Sequence, residues 1–222
     1  LVAISTYSAQ IFDAYELADR YRRKGIKVVI GGPHVSVLPE EAQPHVDAIV
    51  LGEAEPVWEN VIGDFRRNKL KARYKADKPY NLNLSPQPRY DLLTKDFYNR
   101  ITVQTSRGCP HDCEFCAASR CLGSYRKKSV ELIVRDIKAI KERWENPFVE
   151  FADDNTFVDK KWGKQLLSAL IPLKIKWFTE TDISIAQDEE LLRLLRKSGC
   201  RQLLIGFESV LRRSLIGIEK HD

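Results

Sequence analysis

The amino-acid sequence predicts an α/β protein of two domains, each built on parallel strands. Short apolar runs bounded by turn residues alternate with stretches whose apolar residues recur at helical spacing. Between residues 71 and 100 the alternation stops, and prolines are separated by Asn, Ser and Gln. We therefore expect a doubly wound, Rossmann-like domain at residues 1–70, a linker at 71–100 and a partial (β/α) barrel of the TIM type at 101–222.

The first domain alternates three strands with three helices. The strands are LVAIST, IKVVIGG, which ends in a glycine turn, and DAIVLG. A helix capped by Asp13 runs to Arg23 and ends at Gly25, PEEA opens a short helix with Pro39 in its first turn, and a third helix spans residues 55–65. Because strand and helix alternate, we expect the strands to be parallel within one sheet.

The second domain shows four strand–helix units. They are ITVQTS with a helix at 130–144, PFVEFA with a helix at 160–170, IKWFTET with a helix at 189–197, and QLLIGFE with a helix from about 209. Functional loops of such units lie at the carboxyl ends of the strands. A cysteine-rich loop follows the first strand, and ADDN, ETD and GFES end the next three. We expect these four segments to converge on one rim.

Composition narrows the function classes. No run approaches the ~18 apolar residues of a membrane span, and the first residues lack the basic-then-apolar order of a secretory signal, so we expect a cytoplasmic protein without a membrane span. The charge of +5 comes from dispersed residues, which argues against a nucleic-acid partner. Five cysteines, four of them crowded together, suit metal or redox chemistry in a reducing compartment. The start at Leu1 and the lack of methionine suggest a fragment of a longer protein.

The cysteine loop SRGCPHDCEFCAAS carries Cys109, Cys113 and Cys116, with three residues and then two between them. Such a set holds zinc if a fourth ligand arrives, and Cys121 or His111 could supply it. Alternatively, three thiolates can hold a four-iron cluster and leave one iron open for an exchangeable ligand. The spacing alone leaves both possibilities standing.

This spacing, with aromatic Phe115 directly before the last cysteine, resembles the signature of the radical S-adenosylmethionine (SAM) superfamily. The resemblance implies that Cys109, Cys113 and Cys116 ligate a 4Fe-4S cluster and that Phe115 lies at the cofactor. It further implies that SAM chelates the open iron and is cleaved by one electron to start radical chemistry.

The same resemblance assigns cofactor contacts at the later strand ends. Asp153 and Asp154 stand where family members bind the amino group of SAM, although the usual Gly-Gly-Glu motif is absent. Glu180 and Thr181 end the strand where ribose contacts are common, and Glu208 ends the next strand. Helix capping is the alternative for such residues, and we expect it at Asp159 and Asp188.

The first domain resembles the second half of the cobalamin-binding fold. Ser5 at a strand end and the pair Gly31 and Gly32 occupy the places that house the nucleotide tail of cobalamin in that family, and VLGEAE matches the next strand end. The cobalt-ligating Asp-x-His-x-x-Gly loop of the family is absent from the sequence. A generic Gly-Gly turn is the alternative interpretation.

Together the resemblances imply a radical SAM enzyme with cobalamin as a candidate second cofactor. The reactions open to it are methyl transfer to unactivated carbon, rearrangement or oxidation of a small-molecule substrate, with an electron donor such as flavodoxin or ferredoxin. The alternative is a zinc-stabilised module that binds a nucleotide or a protein without radical chemistry.

Overall fold

The computed structural model describes residues 1–118 and 123–217 of the chain. The chain divides into two compact units, Leu1–Tyr80 and Asn81–Asp222. Each unit contains a four-stranded parallel sheet in its described part, which confirms the predicted α/β class. No helix among the described residues is long and apolar enough to cross a membrane.

The first unit is a parallel sheet flanked by short helices. Its strands are β1 (Val2–Ser5), β2 (Val28–Gly31), β3 (Ala48–Leu51) and β4 (Arg73–Lys75), and its helices are α1 (Ile11–Arg23), α2 (Pro33–Val37), α3 (Pro39–Ala42) and α4 (Trp58–Arg66). The strands lie in the order β1-β2-β3-β4. Val28, Ile30 and Ile49 are fully buried between the sheet and its helices, so the continuous apolar runs of these strands mark a buried sheet.

Two sequence predictions for this unit were wrong. Asp13 does not cap α1, because a 3-10 turn at Ser8–Gln10 runs directly into the helix and places Asp13 inside its first turn. The boundary at residue 70 is too early, because β4 lies in the predicted linker and pairs with β3. Tyr74 is the buried residue of this short edge strand, and its hydroxyl donates to Asp64 Oδ2 at 2.9 Å. One buried residue between two exposed ones gives too little periodicity to predict a strand.

The second unit repeats the strand–helix alternation. Its strands are β5 (Ile101–Val103), β6 (Ser106–Arg107), β7 (Arg126–Lys127), β8 (Phe148–Phe151), β9 (Lys176–Asp182) and β10 (Cys200–Gly206), and its helices are α5 (Val130–Arg143), α6 (Lys160–Leu170) and α7 (Glu189–Ser198). The main sheet has the order β10-β9-β8-β5, and β6 and β7 form a separate antiparallel pair. The predicted helix near residue 209 was wrong, because the described chain there has a 3-10 turn at Arg212–Ser214.

Apolar packing and caps fix the helices on this sheet. Trp177 is fully buried, stacks on Phe151 at 4.9 Å between ring centroids, and donates its indole N–H to the Ser198 carbonyl at 3.0 Å. The predicted caps are confirmed, since Asp159 accepts from the Trp162 amide and Asp188 from the Leu191 amide, both at 3.0 Å. Each cap satisfies an amide that the first helical turn leaves unpaired.

The glycine turn after β2 is required by the sheet itself. Gly32 has φ +108°, and a Cβ built there would lie 2.4 Å from the Thr6 carbonyl oxygen and 2.8 Å from the Thr6 nitrogen. A Cβ on Gly31 would lie 3.2 Å from the Val50 carbonyl oxygen. The two glycines therefore allow neighbouring strand ends to approach closely at the carboxyl edge.

We expect Gly32→Ala to lower the free energy of unfolding of the first unit by about 2–4 kcal/mol, because the new Cβ meets backbone in a left-handed conformation. Gly25→Ala is the matched control, since Gly25 also has a positive φ (+73°) but a Cβ added there would meet no atom within 4 Å. Its cost should be about 1 kcal/mol. Amide hydrogen exchange in β1 and β2 measures both losses, and equal losses would contradict this account of the turn.

Candidate functional site

The cysteine loop leaves and rejoins the second unit through a narrow neck formed by β6 and β7. Ser106 pairs with Lys127 and Arg107 pairs with Arg126. Immediately beyond this pair, Gly108 has φ +75°, and a Cβ there would lie 2.5 Å from the Gly123 carbonyl oxygen. The glycine thus lets the two arms of the loop touch. Residues 119–122, including the predicted alternative ligand Cys121, lie outside the described residues.

A buried carboxylate, that of Asp153, anchors one arm of the neck. Its Oδ1 accepts from the amides of Thr105 at 2.9 Å and Ser106 at 2.8 Å. Its Oδ2 accepts from the hydroxyls of Thr105 and Thr156, the latter at 2.9 Å. Burial raises the pKa of Asp153 despite these donors, since desolvation outweighs the hydrogen bonds.

The role predicted for Asp153 therefore needs correction. The residue is only 4 % exposed, both carboxylate oxygens accept from protein donors, and Asp153 is not among the residues that line the nearby cavity. A carboxylate in this state has little capacity left for an external ammonium group. Asp153 instead joins the end of β5 to the segment that follows β8.

Two lysines anchor the other arm of the neck. The Lys128 amide donates to the Thr105 carbonyl at 2.8 Å, and its ammonium group pairs with the buried carboxylate of Asp136 on α5. The neighbouring Lys127 pairs with Asp159, the cap of α6. Both arms of the loop are thus tied to the sheet and to two helices, while the cysteines lie beyond the neck.

A cavity of about 220 Å³ lies between the cysteine loop and the strand ends. The loop contributes the side chains of Cys109, His111, Cys113, Phe115 and Cys116. The segments at the ends of β8 and β9 contribute Asp154, Asn155, Glu180, Thr181 and Asp182, and the end of β10 contributes Leu204, Gly206 and Glu208. The expected convergence of the four segments on one rim is therefore seen in the structure.

Cys109, Cys113 and Cys116 are not joined in a disulfide bond to any described residue. Cys113 is 8 % exposed, and burial raises the pKa of Cys109, with further contributions from Cys113, Asp154 and Cys116. Within residues 1–118 and 123–217, no group of three His, Cys, Asp or Glu side chains is placed so that it could hold a single metal ion. Three neighbouring thiols that line one cavity match the donor set of an iron–sulfur cluster, so the residues present fit that group.

The opposite wall of the cavity is acidic. Burial raises the pKa of Asp154, and burial together with the charges of Asp154 and Glu150 raises the pKa of Glu180. Glu208 adopts a left-handed conformation with φ +54°, which is strained for a residue with a side chain. Closely spaced carboxylates in a partly enclosed cavity favour a cationic ligand.

Sequence reasoning assigned no role to two polar residues of this wall, Asn155 and Asp182, and it named His111 of the loop only as an alternative zinc ligand. Asn155 Nδ2 donates to Asp182 Oδ2 at 2.7 Å, and His111 Nε2 lies 3.7 Å from the same oxygen. Burial alone would raise the pKa of Asp182, but hydrogen bonds from Ser184 and Asn155 and the charge of His111 lower it. Asn155 directly follows Asp154 and Asp182 directly follows Thr181, which were both predicted to contact the cofactor. Their position next to these residues was the only sequence feature that could have pointed to them.

The predicted residues of the first unit also come together. Ser5 ends β1 and is the register partner of Gly31, which ends β2, and Gly32 follows. These positions form the carboxyl edge of the first sheet. The edge presents little side-chain bulk, as a site for a large flat ligand requires.

Comparison with known proteins places both units. The Radical SAM superfamily model matches residues 103–221, and the B12 binding domain model matches residues 1–62. Among curated relatives, bacteriochlorophyllide d C-12(1)-methyltransferase of Chlorobaculum tepidum is 32% identical over 95% of this chain and 48% of its own length. Bacteriochlorophyllide d C-8(2)-methyltransferase of the same organism is 30% identical over 99% of this chain and 52% of its own length.

A solved structure shares the fold. The radical SAM methyltransferase TsrM from Kitasatospora setae, with tryptophan substrate and a SAM analogue bound, superposes with a TM-score of 0.81 at 16% identity, covering all of this chain and 51% of that one. The chain thus spans about half the length of the relatives it matches. Since the superfamily model covers more than half of the sequence, this chain belongs to the radical SAM superfamily and carries a B12 binding domain ahead of its radical SAM domain.

Proposed function

We propose that this chain forms the cofactor-binding part of an enzyme that cleaves SAM reductively at a 4Fe-4S cluster and methylates a small molecule at an unactivated carbon, with cobalamin as methyl carrier. The observation that carries the proposal is the cavity in which three cysteine side chains of one loop face an acidic wall. Two relatives named as methyltransferases favour methylation over rearrangement or oxidation.

Cys109, Cys113 and Cys116 would hold the cluster. When bound, such a cluster supplies one electron and an open iron for the cofactor. The protein provides a loop with a narrow neck, so that the three thiolates are held together despite their mutual repulsion. Iron cations offset that repulsion, since a bound cation reverses the local electrostatic balance. The buried position of Cys113 keeps water from one side of the site.

The acidic wall would receive SAM, which carries an ammonium group and a sulfonium centre. Asp154 is the preferred partner of the ammonium group, because its carboxylate lines the cavity whereas that of Asp153 does not. Glu180 and Glu208 add negative charge, and Thr181 offers a hydroxyl at the end of β9. Phe115 lines the cavity, is 54 % exposed as a residue, and offers an apolar ring surface for the adenine.

Ser5, Gly31 and Gly32 would receive the nucleotide tail of cobalamin at the carboxyl edge of the first sheet. The match of residues 1–62 to the B12 binding domain supports this assignment. A one-electron donor such as flavodoxin or ferredoxin would reduce the cluster. Cysteines without disulfide bonds in the described part of the chain and an oxygen-sensitive cluster suit a reducing compartment, which favours the cytoplasm.

We expect Cys113→Ala to reduce the bound iron from about four atoms per chain to less than half of that value, because one of three cluster ligands is lost. Iron content and visible thiolate-to-iron absorption after anaerobic reconstitution provide the measurement. Cys200→Ala is the matched control, since Cys200 is a free cysteine that does not line the cavity. Colourless wild-type protein with stoichiometric zinc would overturn the proposal in favour of a zinc-stabilised module.

We expect Asp154→Asn to weaken SAM binding by about tenfold or more, since a charge-assisted hydrogen bond to the ammonium group is lost. Equilibrium binding of SAM to the cluster-loaded protein measures the effect. Asp188→Asn serves as control, because Asp188 caps α7 and does not line the cavity. Unchanged affinity in the Asp154 variant would remove this residue from the SAM site.

We expect hydroxocobalamin to change its visible spectrum when it is mixed with the protein, and Ser5→Leu to weaken this binding by about tenfold, because a branched side chain would occupy the edge of the first sheet. Ser168→Leu, on the exposed face of α6, is the control. A wild-type chain that leaves the spectrum unchanged would contradict cobalamin binding by these residues.

A further inference from the structure

Asp182 lies in the cavity wall, but neither cluster ligation nor the proposed SAM contacts assign it a role. Its side chain ends β9 and is largely buried, with the residue 9% exposed. Oδ1 accepts from the Ser184 amide at 2.8 Å, and Oδ2 accepts from Asn155 Nδ2 at 2.7 Å. These donors hold the carboxylate in one orientation and stabilise it as an anion.

The same carboxylate reaches the cysteine loop. His111 lies between Cys109 and Cys113, and its Nε2 is 3.7 Å from Asp182 Oδ2. The hydrogen bonds at the neck involve Thr105, Ser106 and Lys128, which lie outside the stretch of the loop that carries the three cysteines. The contact between His111 and Asp182 lies within the ligand-bearing part of the loop, the stretch from Cys109 to Cys116.

We propose that Asp182 is a positioning residue that, through His111, holds the ligand-bearing part of the cysteine loop against the end of β9 and places a fixed negative charge beside the cluster site. This inference rests on the proposed function for the cluster, but the loop contact itself concerns only residues of this chain. Asn155 supports the arrangement, because its amide donates to Asp182 while its Oδ1 accepts from the Thr181 hydroxyl at 3.4 Å.

Asp188 provides a matched comparison. Like Asp182 it precedes and caps a helical segment, accepting from the Leu191 amide at 3.0 Å. It pairs with Lys164 at 3.0 Å and does not line the cavity. Asn is a good capping residue, so both Asp182→Asn and Asp188→Asn should fold. Only the first changes the charge that faces His111.

The first test needs no cofactor. In the apo protein we expect a thiol reagent to label Cys113, which is 8 % exposed, about fivefold faster in Asp182→Asn than in wild type, because the loop opens more often. Peptide mass spectrometry follows each cysteine separately, with Cys200 as internal reference. His111→Gln should accelerate labelling to a similar extent, and the double variant should add little, because both changes remove the same contact.

Three results would overturn the inference: an unchanged labelling rate in Asp182→Asn, an equal acceleration in Asp188→Asn, or additive effects in the double variant. The second readout is the reduction potential of the reconstituted cluster. It should shift to more positive values in Asp182→Asn and stay unchanged in Asp188→Asn, because a nearby negative charge disfavours the reduced cluster. An unshifted potential in Asp182→Asn would contradict the placement of its charge.

The two proposals fail in different ways. If wild-type protein binds no iron, the proposed function is wrong, and the labelling rates in the apo protein still decide whether Asp182 and His111 hold the loop. If wild type binds the cluster but the labelling rates of Asp182→Asn match wild type, the inference on Asp182 is wrong and the proposed function stands.

Discussion

The buried carboxylate of Asp153 is the interaction on which the site depends. It accepts hydrogen bonds from two amides and two hydroxyls of the residues that follow β5 and β8, and these four donors offset part of the cost of burying the carboxylate. Removing it would leave those donors unpaired inside the protein, at the point where the cysteine loop begins. Under the proposed function this loop presents three mutually repelling thiolates, and the hydrogen bonds of Asp153 fix the position of the residues from which the loop starts.

The chemistry of the cavity follows from the parallel sheet. Strands β8, β9 and β10 end at one edge of the sheet, so the polar residues at their ends lie close together although they are far apart in sequence. Asp154, Glu180 and Asp182 thereby face the cysteines across a small volume. The carboxylates of the wall, together with thiols that lose their protons when iron binds, favour the entry of cations. The arrangement is therefore suited to iron and to a sulfonium cofactor, and poorly suited to an anionic ligand.

The features that could be predicted from the sequence are those that depend on local patterns of residues. Helix α6 has the predicted bounds, and the capping aspartates and the convergence of strand ends were anticipated, because capping, periodicity and parallel topology are read from neighbouring residues. The division of labour between Asp153 and Asp154 was not predictable. Adjacent residues of one type point to different sides of the chain, and only packing decides which one meets the cavity. The short strand β4 was missed for a related reason, since its stability comes from pairing with β3.

Gly32 in the first unit and Gly108 in the second play the same structural role. At Gly32 the missing Cβ admits the Thr6 backbone, and at Gly108 it admits the Gly123 carbonyl, so both positions bring backbone segments together beside a proposed cofactor edge. Here a Cβ at either position would clash with the protein's own backbone, which means that substitution would disturb the edge before any ligand arrived. The glycine turns are therefore better understood as conditions for building the two edges, and cofactor binding follows from the shape that they permit.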